Sequence, residues 1–172
     1  MSDVRATFLQ SLDYEPDVFQ VKAMNSIDAD ASVLVAAPTG SGKTLIAEYA
    51  IARARSLGLR AFYTTPIKAL SNQKYRDLQA LYGAHKVGLV TGDNAVNAEA
   101  PVVVMTTEVL RNMIYSQSNR LDDLGVVILD EVHYLQDAYR GPVWEEVIIQ
   151  LDPEVQLVCL SATVSNAGEV GD

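Results

Sequence analysis

The stretch "AAPTGSGKT", residues 36–44, constrains the fold of this chain most strongly, because it directly follows the apolar run "SVLVAA". The apolar run predicts a buried strand, and the glycines after it permit a tight turn in which backbone N–H groups point inward. Lys43 and Thr44 then open a helix, whose first N–H groups and dipole favour an anion. The stretch therefore predicts a phosphate-binding loop between a strand and a helix.

The chemistry expected of this loop follows from its residue types. Lys43 would contact the outer phosphates of a nucleotide, and the hydroxyl of Thr44 would ligate Mg²⁺. Ala37 stands where such loops usually have their first glycine, and the alternative interpretation is a flexible strand-turn-helix junction without a ligand. The predicted nucleotide-binding residues of the loop are Thr39, Gly40, Ser41, Gly42, Lys43 and Thr44.

Strand-like and helix-like segments alternate along the chain. Six apolar runs predict strands: "SVLVAA", "RAFYTT", "KVGLVT", "VVVMTT", "VVILDE" and "QLVCLSA". Between them, residues 44–58, 67–83, 107–117 and 142–151 carry apolar side chains at three- and four-residue spacing, which is typical of helices. This alternation predicts one α/β domain over residues 1–172, a mostly parallel sheet with helices on both faces that binds ligands at the carboxyl ends of its strands.

A pair of acidic residues follows the strand-like run in "GVVILDEVHYL". We expect Asp130 to hold the shell of the Mg²⁺ ion and Glu131 to polarise an attacking water molecule. An acidic junction that caps the next helix is the alternative for either residue alone. His133 by itself is weak evidence of catalysis, since a lone histidine at a strand end more often forms structural hydrogen bonds.

Composition and charge limit the cellular location and the binding partners that we expect of this protein. The single cysteine, Cys159, cannot form an internal disulfide, and no apolar run is long enough to span a membrane, so we expect a reduced, cytoplasmic protein without a membrane contact. Residues 1–86 carry 10 basic and 8 acidic side chains, whereas residues 87–172 carry 3 and 14. Because non-specific nucleic-acid binding draws on Lys and Arg, any such contact should be local and lie mostly in the first half.

The order of short motifs along the chain resembles a known family. The segments "APTGSGKT", "TTPIKALSNQKYRDL", "TGD", "MTTEVLRNMI", "DEVH" and "SAT" occur in a fixed order that covers nearly the whole sequence. This order resembles the first RecA-like domain of superfamily 2 helicases, in particular the DEVH-box RNA helicases of the superkiller and HelY type. The resemblance implies a RecA-like P-loop fold that hydrolyses ATP, with ATP and Mg²⁺ as cofactors. It also implies that the partner is a single-stranded nucleic acid, namely RNA.

The resemblance also implies roles for residues near the nucleotide. Gln20 matches the glutamine that reads the adenine edge, and Tyr14 stands where the family usually has phenylalanine. Ser161 and Thr163 match the segment that links nucleotide state to strand movement. His133 matches the position that couples the ATP site to the partner domain.

A second set of residues matches the family's single-strand track. Hydroxyl groups and free helix-start N–H groups at strand ends suit sugar-phosphate oxygens, which carry no base sequence. Helix capping by Ser and Thr is the alternative role for some members of the set. The predicted RNA-binding residues are Pro66, Lys68, Asn72, Gln73, Thr91, Gly92, Asp93, Thr106, Thr107 and Glu108.

Other functions stay open at this point. A kinase or small GTPase would share the phosphate loop, but the guanine-reading Asn-Lys-x-Asp segment is absent from the sequence. A non-catalytic, nucleotide-gated RNA-binding or docking module and a DNA helicase domain are the remaining alternatives. Helicases of this superfamily carry a second RecA-like domain downstream, so we expect this chain to be the N-terminal half of such a two-domain helicase. The sequence is compatible with a natural fragment and with a piece of a longer chain.

Overall fold

The computed structural model of the protein describes residues 2–12, 15–37, 42–116, 121–131, 151 and 154–162. The α-helices within these residues are α1 (Ser2–Gln10), α2 (Val18–Asp28), α3 (Lys43–Ser56), α4 (Lys68–Tyr82) and α5 (Thr107–Tyr115). The strands are β1 (Val33–Ala37), β2 (Arg60–Thr65), β3 (Val87–Thr91), β4 (Asn94–Val96), β5 (Val102–Thr106), β6 (Leu124–Leu129) and β7 (Gln156–Ala162). A short 3₁₀ helix, Ala84–Lys86, precedes β3.

The strands form one sheet in the order β1-β7-β6-β2-β5-β3-β4. All neighbouring strands are parallel except the pair β3 and β4, which is antiparallel at the edge of the sheet. Since β1, β7 and β6 run parallel, the end of β1 and the acidic residues after β6 lie at the same edge of the sheet. This edge carries the carboxyl ends of the parallel strands, where open α/β sheets bind their ligands.

Apolar side chains cover both faces of the sheet because successive residues of a strand point to opposite sides. Along β2, Tyr63 belongs to the core under α3 and α4, whereas Phe62 belongs to the core under α5. In α5, Leu110 and Met113 pack on the latter face. The prediction of a mostly parallel sheet with helices on both faces is confirmed.

Local capping explains where several helices begin. Thr106 ends β5, and its side-chain oxygen accepts a hydrogen bond from the backbone N–H of Val109 at 3.4 Å, so α5 starts at once. At α2, Asp17 and Gln20 form a reciprocal capping box. Both arrangements satisfy N–H groups that a helix start leaves unpaired.

All six predicted strands are present, but their bounds and neighbours differ in detail. β6 begins two residues before the predicted run and ends at Leu129, so Asp130 and Glu131 follow the strand instead of closing it. β4, α1 and α2 carry no strong periodic signal and were not predicted. Of the predicted helix 142–151, only residue 151 is described. No helix in the described ranges is long and apolar enough to cross a membrane.

Candidate active site and strand-end groove

A cavity of about 270 Å³, here called the loop cleft, opens at the carboxyl ends of the parallel strands. It brings together the start of α3, the acidic pair after β6 and one side of α4. Its lining residues are Gly42, Lys43, Thr44, Thr65, Leu70, Gln73, Lys74, Asp77, Asp130, Glu131 and Leu160. Residues 42–44 of the predicted phosphate loop and the predicted acidic pair therefore line one cavity.

The position before α3 strongly favours glycine. Gly42 has a φ of +94°, a backbone conformation that side chains with a Cβ rarely adopt. A Cβ built on Gly42 would also lie 2.3 Å from Nε2 of Gln20. Lys43 and Thr44 follow as the first residues of α3, so the positive end of its dipole faces the loop cleft.

Gln20 connects α2 to this glycine. Its side chain is 2% exposed; Nε2 donates to the carbonyl oxygen of Gly42 at 3.0 Å, and Oε1 accepts from the backbone N–H of Asp17 at 2.7 Å. A glutamine offers two N–H donors and two acceptor lone pairs, so these bonds use one of each kind. The adenine-reading role of Gln20 stays a prediction.

The acidic pair is held by contacts to β2. The backbone N–H of Asp130 donates to the carbonyl oxygen of Thr64 at 2.9 Å, which extends the ladder between β2 and β6 by one residue. Oδ1 of Asp130 accepts from the N–H of Glu131 at 2.8 Å, and Oδ2 accepts from the hydroxyl of Tyr63. Glu131 has a φ of +57°, a conformation that stores strain in a residue other than glycine.

Burial sets the ionisation of the groups beside the loop cleft. Burial, followed by the charge of Asp130, raises the pKa of Tyr63 well above its ordinary value, so the phenol keeps its proton. The ammonium of Lys74 lies 5.2 Å from the centroid of the Tyr63 ring. Burial also raises the pKa of Glu48, and the charge of Lys74 partly offsets that rise.

The residues of the loop cleft fit a magnesium ion that arrives with a phosphate ligand. Thr44 supplies a hydroxyl and Asp130 a carboxylate, which are the hard oxygen donors that Mg²⁺ prefers. In the part of the chain that the structure describes, no group of three or more His, Cys, Asp or Glu side chains could hold a metal ion. Mg²⁺ is commonly bound by one or two carboxylates together with substrate phosphates and water, and this donor set suits that mode.

A second cavity of about 360 Å³, here called the strand-end groove, lies beside the loop cleft. Its lining comes from the loop before α4, the end of β3 and the start of α5. The residues are Pro66, Ile67, Lys68, Thr91, Gly92, Thr106, Glu108, Val109 and Asn112. Six of the ten predicted RNA-binding residues therefore line one groove.

Lys68, which lines the strand-end groove, forms an ion pair with Asp93. Nζ of Lys68 donates to both carboxylate oxygens of Asp93, at 2.9 and 2.8 Å, and Oγ1 of Thr91 donates to Oδ1 at 3.1 Å. The hydrogen bond from Lys68, followed by that from Thr91, lowers the pKa of Asp93. The side chains of Lys68 and Asp93 are 54% and 70% exposed, so the ion pair can exchange for another anion.

Three predicted track residues lie elsewhere. Gln73 lines the loop cleft. Thr107 is 2% exposed and its hydroxyl donates to the carbonyl oxygen of Thr65 at 3.2 Å, so this side chain joins α5 to β2. Asn72 is half-buried on α4.

One of the remaining predicted site residues is described by the structure, and the others are not. Ser161 lies near the end of β7, in register with Ala36 of β1, the strand that precedes the phosphate loop. Outside the described residues lie Tyr14, Thr39, Gly40, Ser41, His133 and Thr163.

Sequence reasoning missed Lys74 and Asp77, which line the loop cleft, and Tyr63, which donates to Asp130. Tyr63 lies in a predicted strand, but its contact with Asp130 depends on the strand order, which the sequence does not state. Lys74 and Asp77 are one turn apart on α4 and line the loop cleft together. The sequence feature that could have indicated these two residues is the charged run "QKYRD" within the predicted helix.

The fold and the loop cleft define a RecA-like, P-loop domain of the α/β class. A family model described as DEAD/DEAH box helicase matches residues 17–170. The chain belongs to the DEAD/DEAH box helicase family.

Known relatives agree with this assignment. Probable helicase HelY of Mycobacterium tuberculosis (strain ATCC 25618 / H37Rv) is 56% identical over 164 residues, which cover 95% of this chain and 18% of that protein. Superkiller complex protein 2 of Homo sapiens is 54% identical over 159 residues, 92% of this chain and 13% of that protein. The predicted resemblance to helicases of the superkiller and HelY type is confirmed, and the chain spans less than a fifth of the length of these relatives.

A solved structure supports the fold. The DUF1998 helicase MrfA, in a crystal structure bound to DNA and AMPPNP, matches with a TM-score of 0.72 at 20% sequence identity. The match covers 99% of this chain and 27% of that chain.

Proposed function

We propose that this chain is the first RecA-like domain of an ATP-dependent RNA helicase and that the loop cleft binds ATP with Mg²⁺. The observation that supports this most strongly is the meeting of Gly42, Lys43 and Thr44 with Asp130 and Glu131 in one cavity. These are the residue types that phosphoryl transfer needs, because its catalysis consists mainly of positioning and charge stabilisation.

Each side chain then has a definite task. Lys43 and the first N–H groups of α3 neutralise the outer phosphates. Thr44 and Asp130 would hold the Mg²⁺ ion, which screens phosphate charge when bound. Glu131 orients and deprotonates the attacking water, a contribution of about 10²–10⁴ in rate for general-base catalysis.

Single-stranded RNA is proposed to bind along the strand-end groove. Hydroxyl groups and helix-start residues from three segments line this groove, which suits a sugar-phosphate backbone. The choice of RNA depends on the resemblance to superkiller-type RNA helicases. A DNA helicase domain is the alternative, and MrfA is a helicase whose structure holds DNA.

Fast turnover is proposed to need an arginine from outside the described residues. The cationic side chains that line the loop cleft are Lys43 and Lys74, and no described arginine belongs to its lining. In related phosphoryl-transfer enzymes such an arginine contributes about 10³–10⁵ in kcat. A second RecA-like domain is the expected source, and translocation along a strand also needs two bodies whose separation changes with nucleotide state.

Isothermal titration of the chain with ATP, ADP and GTP in the presence of Mg²⁺ tests the nucleotide assignment. We expect ATP and ADP to bind, GTP to bind more weakly, and Lys43→Ala to abolish binding without lowering the free energy of unfolding. Equal affinity for GTP and ATP would remove the adenine preference assigned to Gln20. An unchanged affinity in Lys43→Ala would contradict the phosphate site itself.

A non-catalytic docking module is the second candidate function. The intact pair of Asp130 and Glu131 argues against it, since nucleotide-gated binding alone does not require a base for water. Steady-state turnover with and without single-stranded RNA separates the two candidates once a second RecA-like domain is present. If RNA stimulation does not appear in that two-domain protein, the docking module is favoured.

A further inference from the structure

Tyr63 presents a buried hydroxyl to the carboxylate of the acidic pair. The residue is 1% exposed on β2, and its hydroxyl donates to Oδ2 of Asp130. The register of β2 and β6 explains the contact, because Tyr63 is paired with Ile128, two residues before Asp130. Residues two apart on a strand share a face, so the ring of Tyr63 extends along that face toward the carboxylate.

Three contacts together fix the orientation of the Asp130 carboxylate. Oδ1 accepts from the N–H of Glu131 at 2.8 Å, Oδ2 accepts from Tyr63, and the backbone N–H of Asp130 is bound to Thr64. Lys74 covers the face of the Tyr63 ring, with its ammonium 5.2 Å from the centroid. Asp130 itself lines the loop cleft together with Thr44.

We propose that Tyr63 is a positioning residue that holds the carboxylate of Asp130 in the orientation that accepts a magnesium ion together with a nucleotide. The inference depends on the proposed ATP-binding function of the loop cleft. Hydrogen-bond partners behind a metal ligand commonly contribute about 10–100-fold to metal affinity or activity. Tyr63 therefore affects the affinity of the site for the metal ion and does not itself touch the phosphates.

The chain contains a matched control for this proposal. Tyr49, on α3, is also fully buried, and its hydroxyl likewise donates to an aspartate, Asp28. That pair belongs to a polar cluster with Arg5 and Arg53 and does not line the loop cleft. Tyr49→Phe and Tyr63→Phe thus delete the same kind of hydrogen bond at two places.

The test measures ATP affinity by isothermal titration at a series of free Mg²⁺ concentrations, and with the metal removed by chelator. We expect Tyr63→Phe to raise the Mg²⁺ concentration for half-maximal enhancement about 10-fold or more, with unchanged metal-free ATP affinity. We expect Tyr49→Phe to match the wild type. In the Asp130→Asn background, adding Tyr63→Phe should have no further effect, because the positioned group is already altered.

Four outcomes would overturn the inference. One is a Tyr63→Phe variant with the wild-type Mg²⁺ dependence, and another is an equal loss of affinity with and without Mg²⁺, which would indicate a purely structural role. A third is an equal shift in Tyr49→Phe. If the wild type shows no Mg²⁺-dependent ATP binding, the proposed function fails and this inference with it.

Discussion

Gly42→Ala is expected to damage both the fold and nucleotide binding. At a φ of +94°, an alanine costs about 1–2 kcal/mol of backbone strain. Its Cβ would also lie 2.3 Å from Nε2 of Gln20, so the glutamine side chain must move and lose its bond to the carbonyl oxygen of Gly42. That bond contributes about 0.5–1.5 kcal/mol, which brings the expected loss in the free energy of unfolding to about 1.5–3.5 kcal/mol.

Gly58→Ala is the matched control for the backbone part of this loss. Gly58 has a φ of +75°, but a Cβ built there meets no heavy atom within 4 Å. We therefore expect Gly58→Ala to cost about 1–2 kcal/mol and to leave ATP affinity unchanged. Urea denaturation gives the two unfolding free energies, and isothermal titration gives the two affinities. Equal losses of stability together with wild-type ATP binding in both variants would refute the role assigned to the contact between Gly42 and Gln20.

Three further predictions concern single side chains. Glu131→Gln should bind ATP as the wild type does and lower turnover in the two-domain protein by about 10²-fold or more, and an unchanged steady-state rate would exclude Glu131 as the base. Asp93→Asn should strengthen binding of single-stranded RNA in fluorescence anisotropy, because it releases Lys68 for a phosphate. The slope of log affinity against log salt concentration should steepen by about 0.7. Weaker binding would contradict this prediction. Burial raises the pKa of Cys159 to about 11, so its thiol should label slowly at pH 8 and faster in denaturant; equal rates would contradict the burial. The same shift means that the folded state holds this proton more tightly than the unfolded chain, so this contribution to stability is present below about pH 9 and lost as the pH rises toward 11.

The features that the sequence predicted well are those encoded locally. Apolar runs mark strands covered on both faces, and the glycine-rich stretch before Lys43 marks the start of α3. The location of the site followed from a general rule, that parallel strands present ligands at their carboxyl ends. Asp130 could therefore be assigned to the loop cleft without knowledge of the strand order.

The features that were missed depend on neighbours in space. The hydroxyl of Tyr63 reaches Asp130 only because β2 lies beside β6, an order that hydrophobic periodicity does not encode. Thr107 was predicted to face the RNA track, yet its hydroxyl binds Thr65 because α5 begins directly beside β2. β4 has three exposed residues, too few for an alternating pattern to stand out.

A crystal structure of the chain grown with Mg²⁺ and a non-hydrolysable ATP analogue would show directly whether the loop cleft binds ATP with Mg²⁺. We expect phosphate density against Gly42, Lys43 and Thr44, with the metal ion between the phosphates, Thr44 and Asp130. Density for the nucleotide in the strand-end groove, or an empty loop cleft at millimolar analogue, would contradict it.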